Sequence, residues 1–338
     1  MLSLVVLALK GQNPQEGQPY SLGSGVTTVT PPMPLYAQTM TAKQIRSTSA
    51  ILVAGIHYVD KQEVSFYFVY SYGNITRQAT GEVNKNTKEI TANVTGLPVN
   101  TEIKFWIVSK SEQGERKGEI KTFRTLPKNV NVSAHSRHAD TFEGWATGFF
   151  NQSNLSGKKK KLVNACNYKN AIVRNKAVSI AAQSPGVFNL GQICDIFDYC
   201  YNGWHYVNDP IGGKNEIYQT ASSTINNNLS GDCDDFAILI CSMLLSVGGD
   251  ARLNLAFSGT TGHAFTEINM GKVDMKVVAD YIAARYKGVW TGAVHYRVDQ
   301  NKNCWMNLDW WAKHPGGHYY KADRGTRFYI LDNYCEDY

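Results

Sequence analysis

Gly231-Asp232-Cys233-Asp234-Asp235-Phe236-Ala237 runs directly into Ile238-Leu239-Ile240-Cys241-Ser242-Met243-Leu244-Leu245. A polar start followed by an apolar run predicts a long amphipathic helix with Cys233 at its mouth. Unpaired backbone N–H groups at such a helix start favour the thiolate over the thiol. Downstream lies Gly262-His263-Ala264-Phe265-Thr266-Glu267-Ile268, which has strand character, and then Cys304-Trp305-Met306-Asn307-Leu308-Asp309-Trp310. A thiol nucleophile needs a base, and the base needs a third group to fix its tautomer. The candidate catalytic residues are therefore Cys233, His263 and Asp309. The chemistry they point to is cysteine-dependent acyl transfer from, or hydrolysis of, an amide or ester.

Each residue has a plainer reading. A cysteine in an apolar run is usually core, and Cys194, Cys200 and Cys241 are read that way. His263 alone could be a satisfied core histidine. Asp309, on an expected aromatic strand between Leu308 and Trp310, is costly to bury unless something hydrogen-bonds it, and a histidine partner removes that cost. Asp232, Asp234 and Asp235 oppose a reactive thiol, because neighbouring negative charge raises a cysteine pKa. Such acids at a helix start can instead cap backbone N–H groups. The first oxyanion donor is expected to be the Cys233 backbone N–H. The second is expected from Trp204 or Gln192, with simple packing of Trp204 on the helix as the competing role.

These motifs resemble the core of transglutaminase-like domains. The Gly-Asp-Cys-Asp-Asp-Phe-Ala helix start, Gly262-His263-Ala264-Phe265 and Leu308-Asp309-Trp310 stand in that family's order. Tyr201-Asn202-Gly203-Trp204-His205-Tyr206-Val207-Asn208-Asp209-Pro210 resembles the segment before its cysteine. The resemblance spans about residues 165–320 and implies a papain-like α+β fold, with Cys233 on a helix packed against an antiparallel sheet that carries His263 and Asp309. The family holds cross-linkers, peptidases, amidases and members without activity, so the reaction stays open at this level.

The chain has 338 residues, 43% hydrophobic and 12% aromatic, enough for sizeable cores and more than one domain. A net charge of +6 is mild, and Lys158-Lys159-Lys160-Lys161 holds much of the excess. No interleaved basic and aromatic pattern points to nucleic acid. Seven cysteines without a Cys-x-x-Cys give neither a metal nor a redox pattern. His135 with His138, and His314 with His318 around Pro315-Gly316-Gly317, lack a cysteine or acid to complete a metal set. No cofactor and no metal are expected. The start, Met1-Leu2-Ser3-Leu4-Val5-Val6-Leu7-Ala8-Leu9-Lys10, lacks a basic n-region and a cleavage site, so it is read as a strand and not a signal peptide. No run has the length of a membrane span.

Residues 11–38, rich in Gly, Pro, Gln, Ser and Thr, read as an extended arm. Short strands with turns between them follow: Ser49-Ala50-Ile51-Leu52-Val53-Ala54-Gly55-Ile56, Val64-Ser65-Phe66-Tyr67-Phe68-Val69-Tyr70 and Ile103-Lys104-Phe105-Trp106-Ile107-Val108. Thr48-Ser49-Ala50-Ile51-Leu52, Leu97-Pro98-Val99-Asn100-Thr101-Glu102-Ile103 and Lys121-Thr122-Phe123-Arg124-Thr125 resemble the second strand, the loop before the sixth strand and the last strand of a fibronectin type III domain. Ile103 replaces the tyrosine whose corner hydrogen bond that family uses. Helices are expected over 171–182, 190–201 and 277–286.

The expected fold class is multi-domain, an all-β fibronectin type III-like sandwich followed by an α+β papain-like transglutaminase domain. The divisions are 1–38 arm, 39–127 sandwich, 128–164 linker and 165–338 enzyme domain. Two function classes follow. One is a cysteine peptidase, amidase or transglutaminase acting on a protein or peptide amide. The other is a structural or attachment protein of a phage virion or other surface assembly, virion-associated or extracytoplasmic, engaging its partners through the arm and the sandwich. The tail 328–338 is expected to close the sheet or to contact such a partner.

Overall fold

The computed structural model of the chain describes residues 37–57, 64–112, 114–132, 157–209, 217–332 and 334–338. The arm expected over 1–38 lies outside these residues except for its last two. So do His135, His138, Trp145, Phe149 and Phe150 of the expected linker.

The N-terminal strands pair into two antiparallel sheets. One is four-stranded, β1 (Ala37–Thr39), β2 (Ser49–Ile56), β6 (Glu89–Thr95) and β5 (Glu82–Asn84) in that order. The other runs β4 (Ile75–Thr80), β3 (Ser65–Tyr72), β7 (Glu102–Ser111) and β8 (Gly114–Lys117), with β9 (Lys121–Arg124) also on β7. Alternation puts Leu52, Phe68, Ile90, Ile103, Phe105 and Ile107 into the shared core, all fully buried. This is the expected sandwich. Where a tyrosine corner is missing, Thr125 replaces it: its hydroxyl donates to the Pro98 carbonyl at 2.6 Å and accepts from the Thr101 N–H at 2.9 Å.

The second half mixes helices with a sheet. Helices α1 (Gly157–Ala165), α2 (Ala171–Ala181) and α3 (Leu190–Asn202) precede α4 (Ala221–Asn226) and α5 (Cys233–Ser246). Asn170 and Asn189 cap α2 and α3, each accepting a first-turn backbone N–H. A six-stranded antiparallel sheet has the order β14 (Tyr296–Val298), β15 (Cys304–Asn307), β13 (Thr261–Asn269), β12 (Ala251–Ser258), β16 (Arg324–Tyr329), β17 (Tyr334–Asp337). The tail thus completes the sheet of its own chain. Helix α6 (Met275–Arg285) fills the gap between β13 and β14, and Asp274 caps it.

Helix α5 departs from expectation in one respect. Residues 234–246 are buried without interruption, so the helix is central and apolar on all sides, not amphipathic. α2, α3 and α4 cover one side of it, and β12 and β13 cover the other. The Thr266 hydroxyl of β13 donates to the Ala237 carbonyl at 2.8 Å and fixes the helix against the sheet.

Residues 35–338 form one compact unit. The described ends of the expected 128–164 linker are packed, not loose. Leu126, Val132, Leu162 and Ala165 belong to the core of the second half, and Leu190 N–H donates to the Val130 carbonyl at 2.8 Å. Arg46, between β1 and β2, pairs with the buried carboxylate of Asp195 on α3 at 2.7 Å. Arg285 Nη2 reaches Asp195 at 2.6 Å and Asp198 at 2.5 Å, and Ser184 Oγ donates to Asp195 at 2.7 Å.

Candidate active site

The local sequence sets the start of α5. The Asp232 side chain caps it, accepting the Asp234 N–H at 3.3 Å. Gly231 leaves room that a Cβ would take from the Asp235 carboxylate. That carboxylate in turn accepts the Gln219 N–H at 2.8 Å and Gln219 Nε2 at 2.7 Å. Burial pushes Asp235 up to about 6 against these hydrogen bonds. Cys233 is therefore the first residue of a rigidly held helix, and its own N–H has no intrahelical acceptor.

Strand β10 (His205–Tyr206) pairs in parallel with β11 (Ser230–Gly231), immediately before Cys233. This pairing brings the 201–210 segment to the thiol. Trp204 packs edge-on against Phe236, with ring centroids 5.1 Å apart. Its indole Nε1 is buried and has no hydrogen-bond partner among the described residues. Tyr206 lies on the Trp310 ring at 5.2 Å. Burial, then the charges of Cys233, Asp232 and Asp234, raise the Tyr206 hydroxyl.

On the sheet, His263 stands on β13 opposite Ala256 and is 6% exposed. Its Nε2 meets Asp309 Oδ2 at 2.7 Å, with both side chains buried. A carboxylate only accepts, so the neutral ring carries its hydrogen on Nε2 and leaves a lone pair on Nδ1. Asp309 is not on a strand as expected. β15 ends at Asn307, and Asp309 instead caps a 3-10 turn over Trp310–Ala312, its Oδ1 facing the Trp311 N–H at 3.5 Å.

The Cys233 thiol lies against the backbone of Ala264, the neighbour of His263, and within the field of Asp309. Its pKa moves opposite to the helix-start expectation. Burial pushes the thiol up to about 12, the Ala264 backbone opposes the rise, and the charges of Asp232, Asp234 and Asp309 add to it. Removing the thiol from water outweighs the helix-terminal N–H groups here.

Gln192, expected as an oxyanion donor, is engaged elsewhere. Its Nε2 donates to the Ser184 carbonyl at 3.0 Å and faces that of Gly186 at 3.4 Å. It closes the Ser184-Pro185-Gly186 stop after α2, whose carbonyls need donors. Cys194, Cys200 and Cys241 are buried, as read. His314 sits between the Pro315 carbonyl at 2.8 Å and Thr291 Oγ1 at 3.1 Å, which occupies both ring nitrogens. Asp232, Cys233 and Asp234 place two carboxylates and the sulfur within 4.8 Å of one another. That set comes from consecutive residues at one helix start, and its effect is on the thiol.

Two residues escaped the sequence reading. Trp311 and Tyr320 lie over His263, with centroids at 5.2 and 5.0 Å, and Phe265 stacks beside it at 6.2 Å. Tyr319 OH donates to the buried Glu267 at 2.7 Å, and Arg252 Nε holds the same carboxylate at 2.7 Å, which anchors the loop carrying Tyr320. The only sequence signal was the density of aromatics after Asp309.

The transglutaminase-like superfamily model matches residues 177–310, and these residues form a transglutaminase-like domain. That span contains Cys233, His263 and Asp309. No curated protein matches the chain. A candidate cysteine protease from Cytophaga hutchinsonii is 13% identical, covers 69% of this chain and 74% of its own, and has a TM-score of 0.25. The fibronectin type III domain of human fibronectin type III domain containing protein 3 is 14% identical over 30% of this chain and 94% of its own, with a TM-score of 0.24. The corresponding domain of human collagen XX is 16% identical over 26% of this chain and 88% of its own, with a TM-score of 0.22.

Proposed function

We propose that the chain is a cysteine acyltransferase or hydrolase acting on amide or ester carbonyls of a protein or peptide, with Cys233 as nucleophile, His263 as base and Asp309 as the group that orients the base. The observation that carries this reading is the buried 2.7 Å His263–Asp309 hydrogen bond beside the head of α5. With the thiol raised to about 12, sulfur holds its proton in the resting site. The proton passes to His263 Nδ1 as Sγ adds to the carbonyl carbon and the C=O π pair moves onto oxygen. That oxygen is received by the Cys233 N–H and by Trp204 Nε1–H, a buried donor with no other partner among the described residues. Collapse restores the C=O and breaks the bond to the leaving amine or alcohol, which takes the proton from Nδ1. The thioester then passes its acyl group to water or to an amine, again with His263 taking and returning the proton.

The sandwich is assigned to docking. Arg46–Asp195 and the packed 126–132 segment argue that it presents the site in a fixed orientation. A role in a phage virion or another surface assembly is a second reading. The tail pairs as β16 and β17 within its own sheet, which leaves the arm and the sandwich as the elements that would engage such partners. The test of the enzyme reading is p-nitrophenyl acetate with peptide mapping. A burst of p-nitrophenol with acetyl on Cys233, lost in Cys233→Ala and in His263→Ala, is expected. Acetylation of Cys233 no faster than that of half-buried Cys335, and indifferent to His263→Ala, overturns it.

A further inference from the structure

Trp311 presents a packing anomaly. It is 59% exposed, so burial does not account for its place, yet its ring lies 5.2 Å from the His263 imidazole, tilted by 34°. Tyr320 approaches the same imidazole at 5.0 Å with a tilt of 44°, and the two rings meet edge to face at 6.3 Å. An imidazole held against π faces gains dispersion when neutral and, in addition, ion–quadrupole attraction when protonated. The second term exists only in the charged state.

We propose that Trp311 and Tyr320 are positioning residues for the reaction, their ring faces stabilising the His263 imidazolium that forms as Cys233 gives up its proton. The inference rests on the assignment of His263 as the base. Among the described residues, Asp309 contacts this ring through Nε2 and Tyr320 lies over it, while Cys233, flanked by Asp232 and Asp234, stands at the head of α5 against the backbone of the neighbouring Ala264. A proton arriving on the ring therefore meets the Asp309 carboxylate and the π density of Trp311 and Tyr320 together. A thiol raised by burial and by three carboxylates needs such help on the accepting side. An interaction present only after proton transfer accelerates the step instead of merely tightening the resting site.

The competing role for these rings is a water shield over the His263–Asp309 hydrogen bond, and substitution separates the two. Trp311→Leu keeps an apolar cover and loses the π face, whereas Trp311→Phe keeps a π face. The readout is the rate constant for iodoacetamide alkylation of Cys233 at pH 7 in the full chain, a probe small enough to need no substrate subsite. Thermal melting is run alongside and is expected to change little at so exposed a position. The expected result is a loss of about fivefold for Trp311→Leu, matching about 1 kcal/mol for one ring. Trp311→Phe and Tyr320→Phe retain most of the rate, and Trp311→Leu with Tyr320→Leu loses about 25-fold if the rings add. Equal rates for Trp311→Leu and Trp311→Phe overturn the proposal while leaving the triad standing. A wild-type rate that His263→Ala leaves unchanged removes the base itself, and the proposal with it.

Discussion

Replacing Asp232 with asparagine isolates the electrostatic brake on the thiol. Its carboxylate lies within 4.8 Å of the Cys233 sulfur and caps α5 through the Asp234 N–H. Asparagine caps a helix as well as aspartate does, so the change removes a charge and keeps the backbone hydrogen bond. Two unit charges at that separation interact by about 1 kcal/mol in water and about 3–4 kcal/mol at an effective dielectric near 20. Both groups are half-buried, which places the solvent-screened value at about 1–2 kcal/mol, or about one pKa unit. The sign follows from the charge. A carboxylate disfavours the thiolate, so its removal brings the thiol down from about 12 and increases the thiolate fraction at any lower pH. The assay is the pH dependence of alkylation at Cys233, resolved by peptide mapping, with half-buried Cys335 as internal reference. Asp232→Asn is expected to react about tenfold faster at pH 8, with its profile displaced about one unit to lower pH. An unchanged profile, or one displaced upward, refutes the argument that these carboxylates govern the thiol.

Two further substitutions test other parts of the structure. Trp204→Phe retains the ring against Phe236 and deletes the buried Nε1–H. Acetylation of Cys233 by p-nitrophenyl acetate should fall about 10²-fold, the scale of a lost oxyanion donor, while its alkylation rate stays near that of the wild type. Arg46→Met removes one partner of Asp195 and leaves Arg285 and Ser184 in place. The cost should therefore stay below that of orphaning a buried charge, about 1–2 kcal/mol, seen as a fall of about 2–4 °C in Tm with a single transition. No change in Tm would show that this contact does not join the sandwich to the transglutaminase-like domain.

What the sequence made legible was set by short-range chemistry. The Asp cap, the glycine before it and the apolar run placed Cys233 at a helix start because capping and burial act within one turn. The alternation in β2, β3 and β7 gave the sandwich for the same reason, since each strand shows its own inner face. Long-range contacts were not legible. Leu308-Asp309-Trp310 reads as strand, yet the Asp309 side chain turns back on the Trp311 N–H and ends the extended run. Gln192 was a reasonable donor by position along the chain. A proline-glycine stop with carbonyls to satisfy had the stronger claim on its amide. The rings over His263 come from a turn and a loop brought together by long-range contacts, among them Asn307 Nδ2 on the Gly317 and His318 carbonyls at 3.0 and 2.9 Å and Tyr319 OH on Glu267 at 2.7 Å. The helix start and the flanking carboxylates pull the thiol in opposite directions, and burial of the sulfur, which no local motif reveals, sides with the carboxylates.

The most direct test of the central claim compares alkylation of Cys233 by iodoacetamide across pH 5–9 in the wild type and in His263→Ala. If His263 Nδ1 receives the Cys233 proton, the wild type reacts at neutral pH at least about tenfold faster than the variant, and the variant reacts only as pH rises toward the range of the buried thiol. Superimposable profiles would contradict a working cysteine–histidine pair.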